Sequence, residues 1–566
     1  MTSDISPPVI SDFNEIDAGI SILHQHRSNW EETTIPQRLG YLQECIDRTI
    51  GVADVWMRVA CQAKGIDPKS PLAGEELVAG AISTVRNIRL LMTTLQADGI
   101  NPSKIRQRED GQFVAEVLPG NAIERLLYLG YRGEVWLEPG TLPTQGRIYR
   151  EPTASRVALI LGAGNVSAIV AMDALWKLFG ENQVVIIKMN PVNAYIGAYL
   201  ADAFAPLIQA GFIQIVYGGA EVGKYLCQHP QIETIHITGS HRTHDAIVWG
   251  ATATEQRERK AANNPRITKP ITSELGCVTP IIVVPGKWSQ SDISFQARQV
   301  AGTVAHNASF NCASGQVLVT ASGWAQQAEF LAAVKRELAA IPPRQAYYPG
   351  AQDRYQALLD KYPQSEPLGA RTPEIVPWTL IPDVPPVAGE YALTEEAFCG
   401  VLAEVSLAEP LGTRIAARTA ADFLTKAVEF ANESVWGTLS CTLIIDTQTQ
   451  QEHRAELDKA IATLKYGAIG VNMWSGMLFY LGSTTWGAYP GNTLADIGSG
   501  SGCVHNTSLF DRPQKSVAYA PFRIFPTPAW FATHRNLLGM ARQLLKFEAY
   551  PSWQKLPGLV LAALRG

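Results

Sequence analysis

Between residues 156 and 284 the chain alternates short runs of aliphatic and β-branched residues with longer stretches in which apolar residues recur every three or four positions. The short runs are VALIL (157–161), VVIIK (184–188), IQIVY (213–217), ETIHIT (233–238) and PIIVV (280–284). Near-continuous apolar runs suit strands covered on both faces, and their alternation with helical stretches predicts an α/β fold with a parallel, doubly wound sheet. From residue 14 to about 99 the pattern is helical. Thr33 and Thr34 ahead of Pro36 mark a helix start, and RLGYLQECIDRTI follows with amphipathic spacing. Residues 112–117 and 133–149 read as short strand pieces. Pro139, Gly140, Pro143 and Gly146 give the second the look of a hairpin or extended arm. Residues 535–550 repeat Leu537, Met540, Ala541, Leu544, Leu545 and Phe547 on one helical face. That face packs on the chain's own core or a partner subunit, or, beside Arg535, Arg542 and Lys546, makes a weak membrane contact.

At 566 residues, 46% of them hydrophobic and 17% charged, the chain can build large cores in two or three domains. A net charge of -5 without a Lys/Arg block argues against nucleic acid as a partner. The opening MTSDISPPVISDFNEID has no basic region followed by an apolar core, so no secretory signal is expected. Eight cysteines without CxxC pairs suit a reducing cytoplasm. Residues 157–172 are uncharged and mostly apolar, but Gly162, Gly164 and Asn165 break them into a strand, a turn and a helix start rather than a membrane span. The sequence shows no internal repeat.

Sheets of this class bind ligands beyond the carboxyl ends of their strands, so the residues just after each run are the candidates. GAGNVSA after the first run is a partial dinucleotide fingerprint: Ser167 replaces the third glycine. Lys188 ends the second run, as a ligand-facing or simply solvated lysine. Gly239 and Ser240 follow the fourth, where free N–H groups at a helix start could meet a phosphate and Ser240 could equally be a helix cap. His236 falls on the strand and His241 and His244 at helical spacing beyond it, without carboxylate or thiol partners nearby, so no metal is expected. Glu274 is the single acid between Lys269 and Lys287, placed to act as a base if its apolar neighbours raise its pKa, or to be an ordinary paired glutamate. Cys312 stands among Asn307, Ser309, Asn311, Ser314 and Gly315, a setting that leaves a sulfur reachable. A packing cysteine is the plainer alternative.

Taken together these segments resemble the aldehyde dehydrogenase superfamily. ITSELGCVTPIIV is similar to its ELGGxxP segment, and HNASFNCASGQV to its catalytic NxGQxC segment. GNVSAIVAMDALWKLFGENQVVIIK resembles the PWNFP region with its Trp-Lys pair and the strand ending in the cofactor lysine. TGS at 238–240 resembles the FTGS turn, and TEEAFCGVLAEV at 394–405 the EEIFGPV motif. Five matches fall in family order over residues 150–410.

The resemblance implies a Rossmann-type cofactor-binding domain (1–132 and 150–275), an α/β catalytic domain (276–475), a small oligomerisation arm with a closing segment (133–149 and 476–520), and a C-terminal helical extension (521–566). It implies a homodimer or homotetramer acting on a small-molecule aldehyde. In the implied mechanism Cys312 attacks the aldehyde, Asn165 and the Cys312 N–H hold the oxyanion, Glu274 activates water, and Lys177 helps relay the proton. By the same analogy Lys188 and Glu396 hold the riboses, Gly239 and Ser240 the pyrophosphate, and Phe398 packs by the nicotinamide. Pro191 stands where an acidic residue would favour NAD, so NADP or dual use is expected. After Gly470-Val471-Asn472 the chain departs from the family's PFGGxKxSG run with GMLFYLGSTTWGAYPG. A coenzyme A-acylating relative and a non-catalytic binding or scaffold relative are the rival readings. Glu274 favours hydrolysis over the first, and the joint presence of thiol, base, amide and lysine favours catalysis over the second.

Overall fold

The structure is a computed structural model that describes residues 8–101, 103–151, 153–408 and 420–566. The first seven residues of the opening segment read for a secretory signal lie outside it. The chain begins with α1 (Phe13–Glu32), capped reciprocally by Asp12 and Glu15, and α2 (Ile35–Ala63), capped by Thr34 and Gln37 with Pro36 in its first turn. These caps satisfy the orphan N–H groups of each first turn, as the Thr-Thr-x-Pro signal predicts. α3 (Ala73–Leu77) passes through one π-helical turn into α4 (Ser83–Gln96).

Strands among the described residues form two sheets. The smaller runs β16 (Gly500–Ser501), β8 (Ile271–Leu275), β7 (Thr234–Gly239), β4 (Arg156–Leu161), β5 (Gln183–Lys188), β6 (Ile213–Val216), parallel except for β16. The larger runs β1 (Lys104–Gln107), β2 (Phe113–Leu118), β3 (Arg132–Leu137), β17 (Pro513–Tyr519), β15 (Ala468–Val471), β14 (Ser440–Ile444), β9 (Thr279–Val283), β10 (Gly315–Ala321), β13 (Val401–Leu407), β12 (Thr379–Ile381), β11 (Glu366–Pro367). Four of the five runs read as one parallel sheet are β4, β5, β6 and β7. The fifth, PIIVV, is β9 and belongs to the larger sheet between β10 and β14. Its place beside β7 is taken by β8, the ITSEL segment that carries Glu274.

The arm also differs from expectation. Only β3 is extended; it lies antiparallel between β2 and β17, within the chain's own larger sheet. β1 and β2, placed by the family resemblance in the cofactor-binding domain, hydrogen-bond into this sheet as well, through β3.

One core packs α1, α2 and α4 on β4, β5 and β6, with Trp30, Leu42, Trp56, Leu159 and Ile186 fully buried. Each such aliphatic side chain contributes about 1.5–3 kcal/mol. The helix Leu537–Ala549 lays Leu538, Ala541, Leu545 and Ala549 into this same core. Its amphipathic face thus packs on the chain itself. Glu548, 1% exposed, receives Arg86 at 2.6 Å, and Arg86 also reaches Glu124 at 3.3 Å. No helix among the described residues is long and apolar enough to cross a membrane, and the eight cysteines are free thiols.

Candidate active site

The two sheets meet at the crossover from β8 to β9. Glu274 is near the end of β8, and residues 276–278 carry the chain across to the larger sheet, where Cys312 stands just ahead of β10. Gln316, the second residue of β10, clamps the crossover: its amide nitrogen donates to Cys277 O at 2.8 Å, and its oxygen accepts from Ala397 N at 2.7 Å. Cys277 N in turn donates to Glu396 at 3.2 Å. A β-carbon at Gly276 would lie 2.0 Å from Glu396 Oε2, so only glycine leaves room for that carboxylate.

A cavity of about 810 Å³ opens along this junction, lined by Asn165, Lys188, Gly239, Ser240, Glu274, Cys312, Glu396 and Phe398. Residues spread over more than two hundred positions are thereby brought together. Lys177 is not among them: its ammonium donates to Glu181 at 2.7 Å and Thr272 at 3.0 Å outside the cavity, which corrects its placement beside the reacting groups. The three histidines also part company. His236 bonds Thr272 and Thr238, His241 stacks on Trp436, and His244 meets Asp245. Among the described residues no group of His, Cys, Asp or Glu is arranged to hold a metal ion.

The Cys312 thiol is half-buried and faces the carboxyl of Glu274, which is 1% exposed. Burial pushes Glu274 up to about 7, with nearby Asp173 adding to the rise against the pull of the thiol, His505 and Trp486. Burial and the facing carboxylate push the thiol well above its ordinary value. A protonated thiol beside a carboxylate balanced near neutrality is a nucleophile whose base is already in place. The Asn165 amide donates one N–H to Phe310 O at 2.9 Å; among the described residues neither its second N–H nor the Cys312 backbone N–H has a partner. Those two donors suit a developing oxyanion.

Ahead of Cys312 the backbone is strained. Asn307, Ala308 and Ser309 have φ of 53°, 54° and 70°, a left-handed run that costs about 1–2 kcal/mol for each residue bearing a β-carbon. A buried cluster from the other end of the molecule holds it. Lys64 Nζ donates to Asn307 Oδ1 at 2.9 Å, Asn165 O at 3.1 Å and Glu76 at 2.9 Å. Glu75 accepts from Asn307 N at 3.2 Å and pairs with Arg344 at 2.7 Å; burial opposes its ionisation, but Arg344 and His306 outweigh that and hold its carboxyl low. Tyr347 OH completes the set on Asn307 and Asn165 O. Lys64→Met should lower the unfolding free energy by about 3–5 kcal/mol in urea denaturation, because it strands the carboxylate of Glu76 in the interior. A loss below about 1 kcal/mol would reject this role. Nothing in the local sequence marks Lys64, Glu75 or Glu76, whose partners are up to 269 positions away.

Lys188 is 9% exposed, lowered by burial, and makes no side-chain hydrogen bond or ion pair with another described residue. Other cations of the cavity lining are partnered: Arg242 pairs with Glu395 at 2.7 Å, and Arg354 donates to the carbonyls of Ala397 and Phe398, while Glu274 and Glu396 are the carboxylates that act on Cys312. An unpaired buried ammonium at a strand end, with glycine backbone at 162, 164 and 239, fits an anionic, hydroxyl-rich ligand such as a dinucleotide. Pro191 is exposed.

Comparison with known proteins agrees with this architecture. The model of the aldehyde dehydrogenase family matches residues 137–351. A human 4-trimethylaminobutyraldehyde dehydrogenase is 28% identical over 139 residues, 24% of this chain and 25% of that protein. The aldehyde dehydrogenase LUC3 of a Fusarium species is 26% identical over 27% of this chain and 34% of its own length. The chain thus aligns with about a quarter to a third of the curated relatives it matches. Among solved structures, a glyceraldehyde-3-phosphate dehydrogenase of Methanocaldococcus jannaschii complexed with NADP superposes with a TM-score of 0.61 at 12% identity, covering 91% of this chain and 96% of that one. An NAD-dependent aldehyde dehydrogenase of Sinorhizobium meliloti gives 0.59 at 16% identity, covering 92% and 89%. At that identity the likeness is one of fold.

Proposed function

The chain belongs to the aldehyde dehydrogenase superfamily, and on that premise we propose that it oxidises an aldehyde to a carboxylic acid with NAD or NADP. The observation that carries the reading is the Cys312 thiol facing a Glu274 carboxyl balanced near pH 7, in a cavity that also holds the unpaired Lys188.

Lys188 and Glu396 hold the ribose hydroxyls, Gly239 and Ser240 meet the pyrophosphate, and Phe398 packs at the nicotinamide end. Nicotinamide, when bound, supplies the two-electron acceptor. Pro191, standing where an acidic residue would bond a ribose, favours NADP or dual use. Glu274 takes the thiol proton as the Cys312 sulfur adds to the aldehyde carbon, and the free Asn165 N–H and the Cys312 N–H bind the resulting oxyanion. Loss of the aldehydic hydrogen with its electron pair leaves a thioester on Cys312. Once the thiol proton has passed from Glu274 to solvent, the carboxylate takes a proton from water as its oxygen bonds to the thioester carbon; the C–S bond breaks, the sulfur takes that proton back and the acid leaves. Tyr348 and Phe398 wall the reacting end, which suits an apolar acyl group. Assembly as a homodimer or homotetramer belongs to the same reading.

The test is the purified protein with aliphatic and aromatic aldehydes and NAD or NADP, with and without coenzyme A, followed by reduced cofactor. Turnover without coenzyme A is expected. Turnover that requires coenzyme A moves the reading to an acylating enzyme. No turnover with any aldehyde, beside a Cys312 that resists alkylation, moves it to a binding protein.

A further inference from the structure

The two donors assigned to the oxyanion stand on different loops, Asn165 on the one after β4 and Cys312 on the one ahead of β10. We propose that Asn307, held by Lys64 and Tyr347, is a positioning residue that ties these loops together and sets the aim of the Asn165 amide; this rests on the roles given above to Cys312 and Asn165.

The Asn307 side chain bridges the two loops. Its Nδ2 donates to Phe310 O at 3.0 Å and Asn311 Oδ1 at 3.3 Å on its own loop, and to Asn165 O at 3.2 Å on the other. Phe310 O is also the acceptor for Asn165 Nδ2 at 2.9 Å. A single carbonyl two residues ahead of the nucleophile therefore takes an N–H from each loop, and the bond made by the first N–H of Asn165 fixes where its second one points. Asn165 and Asn307 are 7% and 3% exposed, so little water competes for these bonds.

An amide can be seated either way round, and here its donors and acceptors are not interchangeable. Asn307 Oδ1 accepts from Lys64 Nζ at 2.9 Å, a group with no acceptor capacity, and lies 3.0 Å from Tyr347 OH, which turns Nδ2 towards the carbonyls. Lys64 Nζ and Tyr347 OH also reach Asn165 O, each at 3.1 Å, so the backbone of Asn165 is held as well as its side chain. The left-handed run at residues 307–309 acquires a role in this arrangement. Strain next to a reacting centre persists where the surroundings over-determine it, and Asn307 is pinned through its N–H to Glu75, its carbonyl to Phe310 N, and its side chain to both loops. Asn307, Lys64 and Tyr347 act through Asn165 and the Cys312 loop and touch no substrate.

Two reagents without cofactor separate aim from reactivity at one thiol. Iodoacetamide alkylates Cys312 at a tetrahedral carbon: the S–C bond forms as iodide leaves, Glu274 takes the thiol proton, and no oxyanion arises. p-Nitrophenyl acetate acylates the same sulfur through an oxyanion before nitrophenolate leaves. Asn307→Gly removes the bridging amide, adds no charge and suits a positive φ. It should slow the nitrophenolate burst about 10²-fold while alkylation of Cys312, followed by peptide mass, changes by no more than about threefold. Tyr347→Phe, which leaves Asn307 and Lys64 in place, should slow the burst in the same selective way by a smaller factor. Equal slowing of both reactions would mean a merely structural residue and overturn the proposal, and so would a burst at the wild-type rate. A wild type that alkylates but shows no burst removes the oxyanion donors, and one that reacts with neither reagent removes the nucleophile; either result takes the positioning role with it.

Discussion

Cys312→Ala should abolish aldehyde-dependent reduction of NAD or NADP, leaving less than about one thousandth of the wild-type rate. The sulfur is the atom on which the thioester forms, and alanine offers no substitute. One other thiol lines the cavity, Cys227, but it sits beside Lys188 at the opposite end, and burial raises it to about 11, so it holds its proton at neutral pH. Removing one half-buried sulfur should leave the fold intact, which a thermal unfolding curve checks. Alkylation followed by mass mapping should label Cys312 ahead of the seven other cysteines. Undiminished turnover by the alanine variant would end the thioester mechanism.

Glu274→Gln should separate the two halves of the reaction. The amide cannot accept a proton from water, so steady-state turnover should fall about 10²–10⁴-fold. Acylation survives better than deacylation for an electrostatic reason. The Glu274 carboxylate is one of the groups holding the thiol proton in place, and its loss lets Cys312 ionise more readily. One equivalent of reduced cofactor per chain should appear and then stop, with the acyl group visible on Cys312 in the intact mass. Wild-type deacylation depends on the carboxylate form. With the carboxyl raised to about 7, that form is depleted below neutrality rather than below the ordinary carboxylate range. Activity should therefore climb between about pH 6 and 8, and the climb should be missing from the variant's deacylation. A variant with normal turnover, or an unchanged acid limb, would remove Glu274 from the water step.

How far the sequence carried this reading follows from where the forces act. β4 to β7 were legible because a strand covered on both faces writes its burial directly as an unbroken apolar run. PIIVV was equally legible as a strand. Its sheet was not, because an apolar run does not say which neighbour covers it, and the crossover at residues 276–278 is a backbone event held by Gln316 from a different strand. Cys312 and Glu274 stand out against their local surroundings, whereas Asn165 was singled out only through the family resemblance. Lys64, Glu76 and Arg344 do not stand out: charged residues in helices and loops normally face water, and only the fold turns these inward onto Asn307. Lys177 shows the opposite failing. It follows Trp176 as in the motif's Trp-Lys pair, but it lies in the π-helical turn over residues 176–180 with its ammonium on Glu181 and Thr272.

The ion cluster joining Arg86 and Arg89 to Glu548 spans 462 positions of chain between Arg86 and its partner. During synthesis the early helices emerge long before the carboxylate that neutralises them. Glu124, 38 positions from Arg86, is at hand sooner, but Arg89 and the second contact of Arg86 wait for Glu548, so loss of that carboxylate would leave two guanidiniums in the interior to share one partner.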